Sequence, residues 1–489
     1  MIVQTEAHPW QVVIERLQAI VGSDGVVTAP EDLVVYECDG LASYRQKPTI
    51  VVLPTTTEQV AAVVQVCDRY SIPFVARGSG TGLSGGALPT ENCILIVTSR
   101  MNQILEIDLE NQRVTVQPGV INAWVTQAVS SDGFYYAPDP SSQIICSIGG
   151  NVAENSGGVH CLKYGVTTNH VLGLKFVLPD GEVIDVGGKV PDQPGYDLTG
   201  VFVGSEGTLG IATEITLRIL KAPEAIHVLL ADFTTIEAAG ATVSDVIGAG
   251  IIPAGMEIMD NISINAVEDV VATNCYPRDA GAVLLIEIDG SEVEVATLSQ
   301  QVTRLCQQNG ARNVTTAIEP EDRLRLWKGR KAAFAAAGRL SPNYFVQDGV
   351  IPRTQLTYVL QEIEALSQAY GYQIANVFHA GDGNLHPLIL YNEAVPGALA
   401  KVEELGGEIL KLCVRVGGSI SGEHGIGADK RCFMPDMFSA ADLETMQWVR
   451  HAFNPKELAN PGKIFPTPRT CAEAAHSHTH LAQAGVDLF

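Results

Sequence analysis

Between Arg77 and Ala87 the chain reads RGSGTGLSGGA, with five glycines in the nine residues from Gly78 to Gly86. Glycine loses the most conformational freedom on folding, so a stretch this rich in it belongs in neither helix nor strand interior. It is a loop whose successive backbone amides lie open to an anion such as a pyrophosphate. Two more clusters follow, SIGGNVAENSGGVH at 147–160 and GSEGTLGI at 204–211, and PDPSS at 138–142 stands just ahead of the first of these. A single cluster reads equally well as a tight surface turn. Three in one region, all with small side chains, imply a long ligand threaded between loops that approach it through their backbones.

Gly80, Gly82 and Gly85 also satisfy GxGxxG. A Rossmann site needs a helix opening directly from that loop and an acidic residue about 20 positions later for the ribose. Pro89 and the strand-like CILIVTSR come instead, which argues against NAD.

A chain of 489 residues predicts two or three domains. With 46% hydrophobic and 18% charged residues it is globular rather than disordered. A net charge of -24 repels phosphate backbones and excludes a nucleic-acid partner, and an anionic substrate would need a local cationic pocket. The opening MIVQTEAHPWQVVIERLQAIVG has no basic segment followed by an apolar one, and no apolar run approaches the ~20 residues of a membrane span. A cytoplasmic protein is expected, with peripheral membrane contact and a homodimer left open. The ten cysteines include no close-spaced pairs that would hold zinc or an iron–sulfur cluster, so reduced, partly buried thiols are expected.

Five stretches are expected along the chain: a helical segment at 1–45, a first α+β domain at 46–222, a second at 223–445, a return to the first domain at 446–467, and a frayed tail at 468–489. Thr55 and Glu58 are spaced as a capping box for a helix through Val60, Val63, Val64 and Cys67. That helix should lead through Phe74-Val75-Ala76 into the glycine loop. After Pro223, alternating strands and helices suit a smaller sheet with helices packed on one side. In the tail His476, His478 and His480 could bind metal, but such ends are more often functionless.

HAGDGNLH at 379–386 lies between two strand-like runs. If Asp382-Gly383 forms a two-residue hairpin turn, His379 falls directly opposite His386 on one face, about 5 Å apart at Cβ. Two neutral imidazoles so placed begin a divalent metal site for zinc or manganese. SGEHGIG at 421–427 offers Glu423 as a third ligand and leaves His424 for proton chemistry. Any one of these residues, taken singly, reads better as an ordinary polar group in a turn.

The series RGSGTGLSGGA, PDPSS, SIGGNVAENSGG, LKYGVTTNHVLGL, GSEGTLGI, DGVIPR, HAGDGNLHP, SGEHGIG and NPGKIFP spans roughly residues 30–467. It resembles the FAD-linked oxidases of the vanillyl-alcohol-oxidase type, and within them the D-2-hydroxyacid dehydrogenase branch that includes catalytic subunits of glycolate dehydrogenases. The resemblance implies an α+β flavoprotein with a PCMH-type FAD-binding domain and a ferredoxin-like substrate (cap) domain. It implies FAD contacts at Pro54, at Arg77, Gly78, Ser79, Gly80, Thr81, Gly82, Leu83 and Ser84, at Pro138, Asp139 and Ser142, and at Gly149, Asn151, Asn155, Gly157, Gly158 and Tyr164. Glu206, Gly207, Ile211 and Asn460 complete that set. Some relatives attach flavin through a histidine in the first loop; the matching position here is Thr81, so the FAD is expected to be non-covalent. The resemblance also implies metal ligands at His379, His386 and Glu423, and a catalytic base at His424.

Oxidation of a 2-hydroxy acid removes a hydride from C2 and a proton from the hydroxyl. A histidine, with an ordinary pKa of about 6.5, accepts that proton near neutral pH. Arg330, or more weakly Lys331, is the candidate for the substrate carboxylate, although either could be a solvated helix charge. Around Val346-Gln347-Asp348-Gly349 the chain lacks the lysine expected for a second carboxylate, which favours a monocarboxylate, glycolate first and D-lactate second. With no second redox motif, electrons must leave for a separate acceptor: an iron–sulfur partner subunit, a soluble carrier or the quinone pool. A flavin-binding electron-transfer subunit without catalysis is the alternative of another class.

Overall fold

The computed structural model describes residues 10–190 and 194–467; the expected tail, with His476, His478 and His480, lies outside the described residues. The chain divides into two compact units. The first runs up to Ala222 and adds Glu423–Asp429 and Glu444–Lys463; the second comprises Pro223–Gly422, Lys430–Leu443 and the described residues from Ile464 on. The segment Glu423–Asp429 thus belongs to the first unit, whereas sequence order alone groups it with the second. Its amides explain this, since they are hydrogen-bonded to Glu206 and Ser84 of the first unit.

In the first unit β1 (Val26–Val27), β2 (Ile50–Val52), β3 (Phe74–Arg77) and β4 (Ile94–Val97) form a sheet ordered β1-β2-β4-β3, with parallel pairing of β4 to both β2 and β3. The central strands β2 and β4 are apolar and buried throughout because both faces are covered. Ile50, Val52, Ile94 and Ile96 meet Val60, Val63, Val64 and Cys67 of the helix Thr57–Tyr70 and Val13 and Leu17 of the helix Trp10–Val21, while Val51, Val75 and Leu95 face a second cluster. The helix start differs by one residue from the expected capping box. Thr56 is the N-cap, accepting from Gln59 N, and Gln59 Oε1 accepts from Thr55 N at 2.7 Å. With three consecutive threonines before Glu58-Gln59, both frames fit the pattern, and the structure uses the later one.

Strands β5 (Ile104–Asp108), β6 (Arg113–Val116), β8 (Val171–Val177), β9 (Val183–Gly187) and β10 (Ile211–Arg218) form an antiparallel sheet ordered β5-β6-β10-β8-β9, and the short β7 (Phe134–Tyr135) pairs with β11 (Leu220–Lys221). The returning segment closes on the first sheet: Phe74 N donates to Leu458 O, and Asn460 N to Phe74 O. Asn460 is thereby placed beside the start of β3, the strand that leads into the glycine loop.

The second unit is built on seven antiparallel strands: β12 (Ala225–Phe233), β13 (Gly255–Asp260), β14 (Ala282–Gly290), β15 (Asn313–Ala317), β16 (Asn343–Val346), β17 (Ile374–His379) and β18 (Pro387–Tyr391), ordered β15-β12-β14-β13-β17-β18-β16. This is the larger sheet rather than the smaller, and its helices occupy both faces rather than one. His227 on β12 bonds Ser299 of the helix Glu292–Gln308, and its register partner is Ile288. The next residue, Glu287, points to the other face and accepts from Trp327 of the helix Pro320–Ala337. Among the described residues eight of the cysteines carry no disulfide, and Cys471 lies outside those residues.

Candidate functional site

The glycine loops of the first unit are tied to one another by small polar groups. Ser147 Oγ accepts from Ser79 N, which joins the second cluster to the first. Asn122 Nδ2 donates to Pro138 O and to Asn151 Oδ1, linking the PDPSS turn to the helix Ile148–Glu154 that carries Gly149 and Asn151. Gly204 N and Glu206 N donate to Val152 O and Ala153 O, which brings the third cluster, with Gly207 and the start of β10 at Ile211, to the same place. Asn155, Gly157 and Gly158 follow that helix, and Tyr164 ends the short helix Cys161–Tyr164. Ser142 O accepts from Ile145 N and Cys146 N, and Pro54 is buried just beyond β2. Asp139 is buried and bonded to His160 through both N and Nδ1.

Arg77 braces the first loop with its side chain. Its Nη1 donates to Cys38 O at 2.7 Å, and a Cβ on Gly80, where φ is +71°, would lie 2.2 Å from Arg77 Nη2. Burial lowers the Arg77 pKa, opposed by the charge of Asp39, and burial raises the Asp39 carboxyl. At Gly82, in contrast, a Cβ would meet no protein atom nearer than 3.9 Å. The protein itself does not require glycine there, whereas a ligand lying along the loop would. Ser84 Oγ and Asn460 Oδ1 are buried without hydrogen-bond partners among the described residues, although Asn460 Nδ2 is fixed by Gly86 O and Glu206 O. Open backbone and two buried oxygens left over are what a phosphate- and hydroxyl-bearing cofactor such as FAD would satisfy.

Glu423 and His424 stand on the turn that joins this unit. A Cβ on Gly157 would lie 2.8 Å from Glu423 Oε2, so that carboxylate rests against the second glycine cluster.

In the second unit, charged side chains are buried together. Arg330, 1% exposed, places Nη2 2.5 Å from Glu257 Oε2, and Glu257 Oε1 lies 2.7 Å from His379 Nδ1. Arg330 Nε is buried without a hydrogen bond among the described residues. Lys331, one residue along the same helix, is exposed and stands outside this buried network, so the weaker candidate for the carboxylate loses its support. The His379 and His386 rings meet edge to face with centroids 5.0 Å apart. The hairpin that brings them together differs from the expected one. His379 pairs with Asn384 across a four-residue turn at 380–383, and Asn376 pairs with Pro387. His386 is therefore diagonal to His379, not opposite. The register has moved by two residues, which keeps both rings on one face.

A second buried ion pair was not anticipated. Asp348 accepts from Lys430 Nζ at 3.0 Å, Asn384 Nδ2 at 2.8 Å, Ser421 Oγ at 2.7 Å and Gly422 N, and lies 3.5 Å from His386 Nε2. Lys430 thus supplies a lysine beside residues 346–349 from 82 positions downstream, but its charge is matched by Asp348. The one signal for Glu257 was an acidic residue within the apolar strand AGMEIM; for Lys430 there was none.

Two imidazoles in contact, one with Nδ1 held by a carboxylate, are a donor set that suits a divalent metal, because a carboxylate at the far nitrogen fixes tautomer and ring orientation.

Residues 48–187 match the family described as FAD binding domain, and residues 222–464 match FAD linked oxidases, C-terminal domain. Glycolate oxidase subunit GlcD of Escherichia coli K12 is 51% identical over 93% of this chain and 91% of its own length. GlcD of Bacillus subtilis is 40% identical over 92% and 96%, and a D-lactate dehydrogenase of Anaerostipes hadrus 33% over 87% and 91%. The fold is shared with 4-ethylphenol oxidase from Gulosibacter chungangensis (TM-score 0.80, 18% identity, 95% of this chain and 99% of that one) and with p-cresol methylhydroxylase (TM-score 0.78, 17% identity, 93% and 96%). Glycine loops that leave room for a flavin, an α+β fold of the PCMH type and half-identity to GlcD converge: the chain belongs to the FAD-linked oxidases, in the branch of 2-hydroxyacid dehydrogenases that includes GlcD.

Proposed function

We propose that this protein oxidises glycolate to glyoxylate, with D-lactate as a second substrate of the same site. The observation that carries the reading is the buried line Arg330–Glu257–His379. A guanidinium buried beside histidines, with a donor to spare, is a receptor for a small carboxylate in an otherwise acidic protein. Glu257 holds Arg330 in place and sets the His379 tautomer. His379 and His386, with Glu423, are the residues that would hold a divalent metal, zinc or manganese, which would lower the pKa of a coordinated hydroxyl. FAD, held without a covalent bond by the loops at 77–84, 138–158 and 204–211 and by Asn460, would take the C2 hydrogen as hydride. His424 accepts the hydroxyl proton on an imidazole nitrogen. Electrons then pass to a separate acceptor, in keeping with the subunit names of the GlcD relatives.

The test is anaerobic mixing of the flavoprotein with glycolate, D-lactate, L-lactate and D-2-hydroxyglutarate in turn. Glycolate and D-lactate should bleach the flavin. Fast bleaching by L-lactate but not D-lactate would overturn the assignment, as would undiminished bleaching in His424→Ala. Acid precipitation should release all the FAD, and exhaustive chelation should abolish bleaching.

A further inference from the structure

We infer that Glu206 is a positioning residue, whose carboxylate fixes the turn bearing Glu423 and His424 onto the cofactor loops. The inference rests on the roles proposed for those two residues and adds the device that holds them. Glu206 is buried and its φ is +51°, a left-handed conformation that a glycine would adopt at no cost. The glutamate side chain must contribute something that offsets this strain. Its two oxygens each accept one backbone amide, Oε1 from Ile426 N and Oε2 from Gly427 N, both at 2.7 Å. Hydrogen bonds to an ionised acceptor are stronger than those between neutral groups. The Glu206 main chain is itself fixed, its N donating to Ala153 O and its O accepting from Asn460 Nδ2.

The turn is shaped to receive this carboxylate. At Gly425, where φ is +83°, a Cβ would lie 2.1 Å from Glu154 Oε2 and 3.0 Å from Glu206 Oε1. Beyond the clamp, Ser84 O accepts from Ala428 N and Asp429 N, and Tyr44 Oη donates to Asp429. His424 lies two residues before the clamped Ile426, so the imidazole inherits the placement of that backbone. A displacement of about 1 Å at a reacting group lowers a rate by on the order of 100-fold. The Glu206 carboxylate therefore acts on the turn, and its part in the reaction is exerted through His424.

The experiment compares the holoenzyme with Glu206→Gln, and with Gly425→Ala as a second variant that disturbs the same contact from the other side. Compared at full FAD loading, so that any weaker hold on the cofactor at this loop is separated out, Glu206→Gln should lower flavin reduction at saturating glycolate by about 10- to 100-fold, with KM nearly unchanged. Hydrogen exchange of the 425–428 peptide should be faster in both variants. A reduction rate within twofold of the parent, or a loss accounted for by lost FAD, would overturn the positioning role. If the parent itself is bleached by no 2-hydroxy acid, the proposed function fails and the positioning role with it; exchange at Ile426 and Gly427 then shows whether the clamp exists, and unchanged exchange would refute that as well.

Discussion

The cofactor loops of the first unit and the charged cluster of the second are built by opposite means. The loops work by subtraction: side chains are absent, amides are open, and contacts between loops are made by Ser147, Asn122 and Asn460. The cluster works by placing full charges where water is excluded, Arg330 against Glu257 and Lys430 against Asp348. A backbone cradle tolerates loss of any one contact, because many weak ones share the load. A buried ion pair does not, because each partner exists in the interior only by virtue of the other. Substitutions in the first region should thus alter flavin affinity, and those in the second should alter stability and chemistry while leaving the flavin in place.

The largest expected effect is that of Arg330→Met, which strands Glu257 in the interior. Removing one partner of a buried pair costs about 3–5 kcal/mol, to be read as a loss of melting stability. The double variant Arg330→Met with Glu257→Gln should recover part of it; no recovery would mean that the pair is not the source. Next is His379→Ala, which should leave the FAD content unchanged and lower both bound metal and flavin reduction by about 100-fold or more. Elemental analysis beside stopped-flow spectra checks this, and a metal-replete, slow variant would separate the histidine from metal binding. Gly80→Ala should do the reverse. Strain at φ +71° and displacement of Arg77 cost about 1–3 kcal/mol, seen as FAD binding weakened by roughly 10- to 100-fold, with the holoenzyme still reduced at the parent rate.

The smallest effect concerns His170, buried in the first unit with Nε2 against Tyr164 O. Burial lowers its pKa below the ordinary 6.5. In the window below 6.5 the unfolded chain holds a proton there that the folded chain lacks, so stability falls as pH drops through that window and levels off below the folded pKa. Melting temperatures from pH 8 to pH 5 should show this slope in the parent and a shallower one in His170→Gln.

The same contrast decides what could be read from the sequence. The cofactor loops are contiguous, so RGSGTGLSGGA and SIGGNVAENSGG announce themselves, and local pattern also places the helix Thr57–Tyr70 and most strands of the first unit. The charged cluster is assembled from residues up to 122 positions apart, as with Glu257 and His379. No local pattern pairs an acid on β13 with an arginine on a helix two strands later. Arg330 was singled out on its type and setting, whereas Lys430, equally buried, was missed. The helix Pro320–Ala337 has no apolar stripe to reveal it, because its inward face includes Gly329, Arg330 and several alanines. Asp348 and Asn384 lay within motifs quoted for other reasons.

The diagonal seating of His379 and His386 has a consequence for how this hairpin could change length. The two rings depend on parity and not on the number of residues in the turn. Residues added within the 380–383 connection would lengthen the loop and leave the Asn376–Pro387 pairing, and both rings, where they are, whereas one residue added at 377–378, between that pairing and His379, would turn this ring to the opposite side. The turn should therefore accept insertions of either parity and the strand none of odd length, a rule of spacing imposed by the pleat itself.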